Sequence, residues 1–173
     1  MGYRVTEEKD LQAVMELIHD AQRTMREAGL DQWQNGHPSE EEIRNDIRNR
    51  EGRVWEEDGK ILGTAMLSFR GEPNYETIVD GSWNMGDIPY GTIHRVAVLS
   101  TDRRQGTAGK ILKEMEKECR EQGFTCVRMD THQDNVPMRT WLGRHGFVYC
   151  GVITMKETME TRLAFEKKLS GEE

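Results

Sequence analysis

The run GTIHRVAVLS, which leads into RRQGTAGKIL, constrains the fold of this chain more than any other stretch. Residues 91–100 show little alternation of apolar and polar positions, which predicts a central strand. From about residue 104 to 121, apolar residues recur at helical spacing, and Gly123 is expected to end that helix. These residues are Ile111, Leu112, Met115 and Cys119. A buried strand that continues through a glycine turn into an amphipathic helix is typical of α/β folds.

Weaker signals before this unit predict two helices and a hairpin. A short strand at residues 3–6 leads into a helix that Thr6 is expected to cap. Ser39 with Glu42 forms a capping box ahead of a second helix. Asp58-Gly59 joins two strand-like runs in a tight hairpin turn.

After this unit the same signals predict a strand, a short helix and two closing strands. The corresponding segments are TCVRMDTH, NVPMRTWLGRH, GFVYCGVI and RLAFEKKL. The order β-α-α-β-β-β-α-β-α-β-β indicates an α/β (α+β) fold on a mixed sheet. Because 173 residues are enough for one core, a single domain over residues 2–170 is expected.

Charge, hydropathy and cysteine use exclude several classes of function. The net charge of −7 disfavours nucleic acid as a partner. The apolar runs are too short to span a bilayer, and the N-terminus lacks a signal-peptide pattern, so no membrane partner is expected. The three cysteines have no C-x-x-C spacing, which argues against a disulfide framework or a metal site and predicts reduced thiols in the cytoplasm.

The glycine turn at residues 103–110 has the composition of an anion site. A helix start leaves about four amide groups without acceptors, and these carry partial positive charge. Gly106 and Ala108 leave room for an anion to approach those amides, and the nearby side chains of Arg103, Arg104 and Lys110 add charge. Neither the P-loop pattern nor the G-x-G-x-x-G fingerprint is present. A plain glycine turn with solvated arginines is the alternative.

A wider pattern around this turn narrows the interpretation. The pattern R-x-x-G-x-A follows the strand IHRVAV, and Asp134-Asn135 lies eleven residues before the Gly146-Phe147 pair, counted from Asn135 to Gly146. This ensemble resembles the GNAT superfamily of acetyl-CoA-dependent N-acetyltransferases. The resemblance is close over residues 92–153, and the element order of the whole chain agrees with it.

The resemblance implies a fold and a co-substrate. It implies a mixed sheet of about six to seven strands with about four helices, in which the fourth and fifth strands splay apart. It implies acetyl-CoA as co-substrate and no metal, with the pyrophosphate on the amides of residues 104–109 and the pantetheine arm along the strand before them. The residues so implied are Val96, Ala97, Val98, Arg103, Arg104, Gln105, Gly106, Thr107, Ala108, Gly109, Lys110, Asn135, Met138 and Arg139.

Acetyl transfer to an amine needs a base, an oxyanion donor and a path for the departing thiolate. The resemblance implies the backbone N–H of Val98 as the donor. His94 is the favoured base, since in a regular strand it shares a face with Val98 and its ordinary pKa is near neutral; a structural histidine in the sheet is the alternative. Asp130 and His132 are further candidates, unless they cap the following loop. The tyrosine that many family members carry as acid is replaced by Leu142.

The acceptor is expected at segments outside the family core, residues 29–38 and 70–90. Trp33, Tyr75 and Trp83 offer apolar or cation–π walls for a small-molecule or peptide amine. The second segment also has an acidic bias that favours a cation. The alternative is a solvated loop whose tryptophans pack at the edge of the core.

Three functions remain open at this point. The first is a cytoplasmic N-acetyltransferase that transfers the acetyl group directly to a primary amine in a ternary complex. The second is a non-catalytic acyl-CoA-binding sensor or regulatory module, which the missing tyrosine favours. The third is an unrelated phosphate-binding α/β protein, for which the Asn135 to Gly146 spacing is accidental. Exposed sheet edges make a homodimer possible.

Overall fold

A computed structural model describes residues 2–171 of the chain, and Arg104 by its backbone alone. The strands are β1 (Gly2–Val5), β2 (Gly52–Glu57), β3 (Lys60–Ser68), β4 (Gly91–Val98), β5 (Cys126–Thr131), β6 (Val148–Thr154) and β7 (Thr161–Lys168). The helices are α1 (Leu11–Glu27), α2 (Glu40–Arg48), α3 (Thr107–Glu121) and α4 (Val136–Arg144). Short 3₁₀ turns lie at Glu8–Asp10, Pro73–Tyr75 and Ser100–Gln105.

The strands within residues 2–171 form one seven-stranded sheet in the order β1-β2-β3-β4-β5-β7-β6. Strand β4 runs parallel to β5, whereas β5 and β6 both run antiparallel to β7. The parallel ladder consists of Gly91 with Val127 and Thr92 with Arg128, so it covers only the start of β4. The mixed α/β class is therefore confirmed. The predicted splay of the fourth and fifth strands stays a prediction.

The predicted hairpin is confirmed, and its turn has the expected backbone. Asp58 and Gly59 both have positive φ, at 50° and 76°, and Glu57 pairs with Lys60 across the turn. Two residues of positive φ form the tight turn whose twist matches that of the flanking strands. This turn sets the register of the neighbouring pairs, and an irregularity between Trp55 and Glu56 shifts the register farther along the strands.

The two helix-cap predictions had different outcomes. At α2 the capping box is present, with Ser39 N donating to Glu42 at 2.6 Å and Glu42 N donating to the Ser39 hydroxyl at 3.2 Å. The Thr6 cap is wrong, because Glu7 and Asp10 form the capping box at this end. The Thr6 amide instead extends the sheet by donating to Gly52 O at 3.0 Å. Its buried hydroxyl has no partner within residues 2–171.

The chain divides into two compact units. The first comprises Met1–Leu67 and His94–Met115. Its core is the apolar face of α1 together with single residues of α2, β2 and β4. These core residues are Leu11, Val14, Met15, Ile18, Ala21, Ile43, Val54 and Ala97. The single domain over residues 2–170 stays a prediction.

The second unit comprises Ser68–Ile93 and Glu116–Glu173, and it includes the long segment 70–90. Val79 of this segment forms an antiparallel bridge with Val152 of β6. Next to the bridge, a Cβ on Gly81 would lie 2.0 Å from the carbonyl oxygen of Cys150. Only glycine permits so close an approach of two backbones. The segment is therefore packed against β6 by backbone contacts.

Candidate functional site

Gly106 separates the 3₁₀ turn Ser100–Gln105 from α3. Its φ of 76° and ψ of 18° lie in the left-handed region, which glycine adopts without steric cost. The helix predicted from about Arg104 is therefore wrong at its start, since α3 begins at Thr107. The reason is local, because one left-handed residue ends the 3₁₀ turn before the α-helix can begin.

The start of α3 presents backbone amides beside an open position. The amide of Lys110 donates to Gly106 O at 3.0 Å. The amides of Thr107, Ala108 and Gly109 precede this bond, so helix geometry gives them no intrahelical acceptor. Apart from Gly106 and its two chain neighbours, no described atom of residues 2–171 lies within 4 Å of where a Cβ on Gly106 would be. A phosphate can therefore approach these amides and the positive end of the helix dipole.

Two side-chain contacts fix the turn that precedes α3. Asp20 of α1 accepts from the Ser100 amide at 2.9 Å and from the Ser100 hydroxyl at 3.3 Å. The Thr107 hydroxyl donates to the Asp102 carboxylate. The first contact ties the start of the 3₁₀ turn to α1, and the second ties the turn to the first residue of α3.

The Asp20 carboxylate makes the stability of this turn depend on pH. Burial opposes its ionisation, but hydrogen bonds from Ser100 and Arg23 lower the pKa of Asp20 below its usual value. A lowered folded-state pKa gives stability that is complete above the unfolded pKa of about 3.9 and is lost as the pH falls through the folded value.

We therefore expect Asp20→Asn to lower the free energy of unfolding by about 1 kcal/mol at pH 7. Thermal unfolding between pH 7 and pH 3 measures this effect, and the difference from wild type should shrink below about pH 3.9. Asp31→Asn, at an exposed position, is the control. A difference that stays constant down to the lowest pH would contradict a role for the Asp20 charge.

The cationic side chains of the predicted anion site have different surroundings. Arg103 is exposed. Lys110 Nζ lies 3.6 Å from the Glu57 carboxylate and 5.5 Å from the centre of the Trp55 ring. The predicted charge of the Arg104 side chain lies outside the described residues. The backbone amides are therefore the better-defined part of the site.

Strand β4 is irregular at Arg95, whose φ is 56°. The prediction of a regular strand is wrong here, so alternation no longer puts His94 on the face of Val96 and Val98. Beyond Arg95, Ala97 packs in the α1 core, and Val98 Cγ2 lies 3.4 Å from where a Cβ on Gly63 would be. The assignments of His94 as base and of Val98 as oxyanion donor stay predictions.

Three other predicted cofactor residues belong to α4. Asn135 is 5% exposed and caps this helix, accepting from the Met138 amide at 3.2 Å. Arg139 Nη1 donates to Gln133 O at 3.0 Å. Leu142, at the position of the family tyrosine, is fully buried. The capping hydrogen bond alone accounts for an asparagine at position 135. Contact between Asn135 and a cofactor stays a prediction.

The predicted acceptor residues do not form one cluster of exposed walls. Trp33 packs against the core of the first unit. In the second unit Tyr75 is 2% exposed, and the Trp83 indole donates to Tyr75 O at 2.9 Å. The Arg128 guanidinium lies 4.4 Å from the centre of the Trp83 ring. This cation–π contact is therefore made by the protein's own arginine.

Tyr75 and Asp130 form a hydrogen bond that the sequence does not reveal. The Tyr75 hydroxyl donates to Asp130 Oδ2 at 2.6 Å. Burial and the neighbouring Asp130 charge raise the pKa of Tyr75 well above its ordinary value, so the hydroxyl stays a donor. A buried tyrosine thus orients the carboxylate at the end of β5. The two residues are 55 positions apart, and no local pattern links them.

No helix in residues 2–171 is long and apolar enough to cross a membrane. In the same part of the chain, no group of three or more His, Cys, Asp or Glu residues is placed to hold a metal ion. Cys119, Cys126 and Cys150 are buried, and none of them forms a disulfide within the described residues.

Comparisons with known proteins agree on one family. Residues 12–147 match the sequence profile described as the acetyltransferase (GNAT) family. A GNAT-family acetyltransferase from Streptococcus agalactiae shares 30% identity and a TM-score of 0.88, with 98% of this chain and 95% of that chain covered. No curated protein matches the chain.

Two more distant structures share the fold. The PaiA N-acetyltransferase from Thermoplasma acidophilum, solved in complex with coenzyme A, has 16% identity and a TM-score of 0.72, with 96% of this chain and 97% of that chain covered. A ribosomal-protein-alanine N-acetyltransferase from Brucella melitensis has 21% identity and a TM-score of 0.69, with 98% and 100% covered.

Proposed function

The chain belongs to the acetyltransferase (GNAT) family, and on this basis we propose that it moves an acetyl group from acetyl-CoA to a primary amine. The acceptor attacks directly in a ternary complex, and no acyl-enzyme forms. The three cysteines support direct transfer, since all are buried. Burial raises the pKa of Cys126 to about 12 and also raises that of Cys150, so both favour the non-nucleophilic thiol.

The observation that carries this proposal is the geometry at Gly106. The left-handed glycine leaves open space beside the first amides of α3. Backbone amides at the start of a helix can bind a phosphate group without help from side chains. The diphosphate of coenzyme A fits this position, and the thioester that the same molecule carries supplies the activated acetyl group. Arg103 and Lys110 add positive charge around it.

The chemistry at the acetyl group needs two contributions from this chain. The acceptor ammonium must lose a proton before its nitrogen can attack. We assign the removal of this proton to His94, which accepts it directly or through water. The Val98 N–H donates to the carbonyl oxygen as it gains negative charge, which contributes roughly 3 kcal/mol. The new C–N bond forms and the C–S bond breaks. The nitrogen gives up its second proton to solvent as the amide forms, and the coenzyme leaves as a thiolate that takes a proton from solvent.

We assign acceptor recognition to Asp130; the roles of Trp33 and Trp83 as walls of the acceptor site stay predictions. Asp130 carries a carboxylate at the end of β5, oriented by Tyr75. A carboxylate there attracts a cationic amine. Because Tyr75 is buried, it acts through Asp130 and offers no wall of its own. The acceptor is a small molecule or a peptide with a primary amine, and the Brucella structure named above is a precedent for a protein acceptor.

Two measurements test the proposal. Calorimetry with acetyl-CoA should show saturable binding, and thiol release over a panel of polyamines, amino acids and peptides should depend on the amine. Absence of binding would contradict the proposal. Binding without thiol release for any amine would support the alternative of a non-catalytic acyl-CoA sensor, which the buried Leu142 in place of the family tyrosine favours.

His94→Ala tests the assigned base. We expect turnover at pH 7 to fall about a hundredfold, because general bases contribute at least that much, while the affinity for acetyl-CoA is kept. The thiol-release rate with the preferred amine measures turnover, and calorimetry measures affinity. His19→Ala, at an exposed position of α1, is the control. Unchanged turnover in His94→Ala would remove this assignment.

A further inference from the structure

Arg95 combines a strained backbone with a buried ion pair. Its φ of 56° lies in the left-handed region, which residues other than glycine adopt only when surrounding contacts enforce it. Its Nε and Nη2 donate to the two carboxylate oxygens of Asp46 at 2.8 and 2.7 Å. Asp46 belongs to α2 and is 5% exposed. The pair therefore joins the irregular residue of β4 to a helix of the same unit.

This ion pair is bidentate, which fixes orientation as well as distance. Two parallel N–H···O bonds between a guanidinium and a carboxylate permit one relative geometry, whereas a lysine makes a point contact. Both carboxylate oxygens of Asp46 are engaged by Arg95. The side chain of Arg95 is thus held at the point where the backbone of β4 departs from regular geometry.

The three residues that follow Arg95 are those to which coenzyme contacts are assigned. Val96, Ala97 and Val98 supply the backbone groups assigned to the pantetheine arm and to the oxyanion. The direction of these groups is set by the dihedral angles of the residue before them, since the peptide plane after Arg95 rotates with its ψ. A change in the Arg95 conformation therefore changes where the following N–H groups point.

From these contacts we infer that the Arg95–Asp46 pair positions the coenzyme-binding part of β4. Arg95 is a positioning residue in this role, since it acts through the backbone of Val96–Val98. The inference rests on the proposed function, because it concerns the binding of that same coenzyme. Asp46 of α2 maintains the strained conformation of Arg95, and this conformation sets the direction of the backbone groups of Val96–Val98.

The chain offers a matched control in the Arg4–Asp10 pair. Arg4 Nη1 and Nη2 donate to the two oxygens of Asp10 at 2.7 and 3.0 Å, and Asp10 is also 5% exposed. Arg4 lies in β1, outside the segments assigned to the coenzyme. Arg4→Lys and Arg95→Lys therefore remove the same kind of bidentate contact to equally buried carboxylates.

The experiment measures the dissociation constant for coenzyme A by calorimetry and the midpoint of thermal unfolding for both variants. We expect Arg95→Lys to weaken coenzyme binding about tenfold, equal to about 1.4 kcal/mol. Arg4→Lys should leave binding unchanged while lowering the unfolding midpoint. A purely structural role of Arg95 would give two variants that lose stability and keep wild-type affinity, and this result would overturn the inference.

A double variant covers the case in which Arg95→Lys fails to fold. Arg95→Met with Asp46→Leu replaces the buried pair by apolar side chains, an exchange that often leaves stability unchanged. This protein should unfold near the wild-type midpoint and still bind coenzyme A about tenfold more weakly. Wild-type affinity in the double variant would overturn the inference while leaving the proposed function intact. Failure of the wild-type protein itself to bind coenzyme A would overturn both.

Discussion

Replacing Gly106 by aspartate should weaken the binding of coenzyme A about a thousandfold. A carboxylate here lies where the diphosphate is proposed to bind. Two like charges about 4 Å apart near a protein surface repel by about 4 kcal/mol, which corresponds to about three powers of ten in affinity. The left-handed conformation adds a smaller cost, because aspartate tolerates it better than most residues do. Calorimetry with coenzyme A measures the loss.

Gly123 provides the matched control for this experiment. It also has positive φ, at 86°, and apart from Gly123 and its two chain neighbours, no described atom of residues 2–171 lies within 4 Å of where its Cβ would be. It follows the C-terminal end of α3, whereas Gly106 precedes the N-terminal end. Gly123→Asp should therefore carry a comparable backbone cost and keep the affinity for coenzyme A. Equal affinities in the two variants would contradict the proposed position of the diphosphate.

Removing the Arg128 side chain should lower the free energy of unfolding by about 3–5 kcal/mol, since it leaves a buried carboxylate without its counterion. Arg128 Nε donates to Glu166 Oε2 at 2.9 Å, and Glu166 is 1% exposed. The guanidinium also lies between the rings of Trp83 and Tyr90, at 4.4 and 4.3 Å from their centres. Urea unfolding of Arg128→Ala measures the loss, which is a large part of the stability of a typical domain.

The same arginine connects β5 to the segment 70–90. Its Nη2 donates to Gly86 O at 2.7 Å, and Glu166 accepts from the Met85 amide at 3.0 Å. Arg128→Met with Glu166→Leu should therefore regain most of the stability but leave the Met85 amide without its acceptor. A double variant that unfolds as readily as Arg128→Ala would show that these loop contacts, rather than the unpaired charge, carry the effect.

The features that the sequence predicts well are those set by neighbouring residues. The hairpin at Asp58-Gly59 and the capping box of Ser39 with Glu42 each depend on a few adjacent positions, and both are confirmed. The family was also predicted, because the turn around Gly106 and the strand before it lie within one short stretch. The helix start was misplaced by a few residues, since nothing in the pattern distinguishes a 3₁₀ turn from the first turn of an α-helix.

The features that the sequence did not reveal depend on distant residues. Asp20 meets Ser100 across 80 positions, and Arg95 meets Asp46 across 49. The positive φ of Arg95 follows from such a contact, so a strand pattern predicts regular alternation in its place. The role of Tyr75 and Trp83 in the acceptor site stays a prediction. Their use in orienting Asp130 and in stacking on Arg128 depends on β5, which lies far along the chain.

The bridge between Val79 and Val152 has a consequence for association. Strand β6 is an end strand of the sheet, and the exposed backbone groups of such a strand are a template for pairing with another polypeptide. Val79 exchanges two hydrogen bonds with Val152, at 2.9 and 2.8 Å, and so occupies the middle of that border. The segment thereby occupies backbone groups of β6 that would otherwise be open to pairing with a strand of another molecule. Edge-to-edge pairing with a second molecule is therefore blocked at Val152, where the backbone groups are already paired.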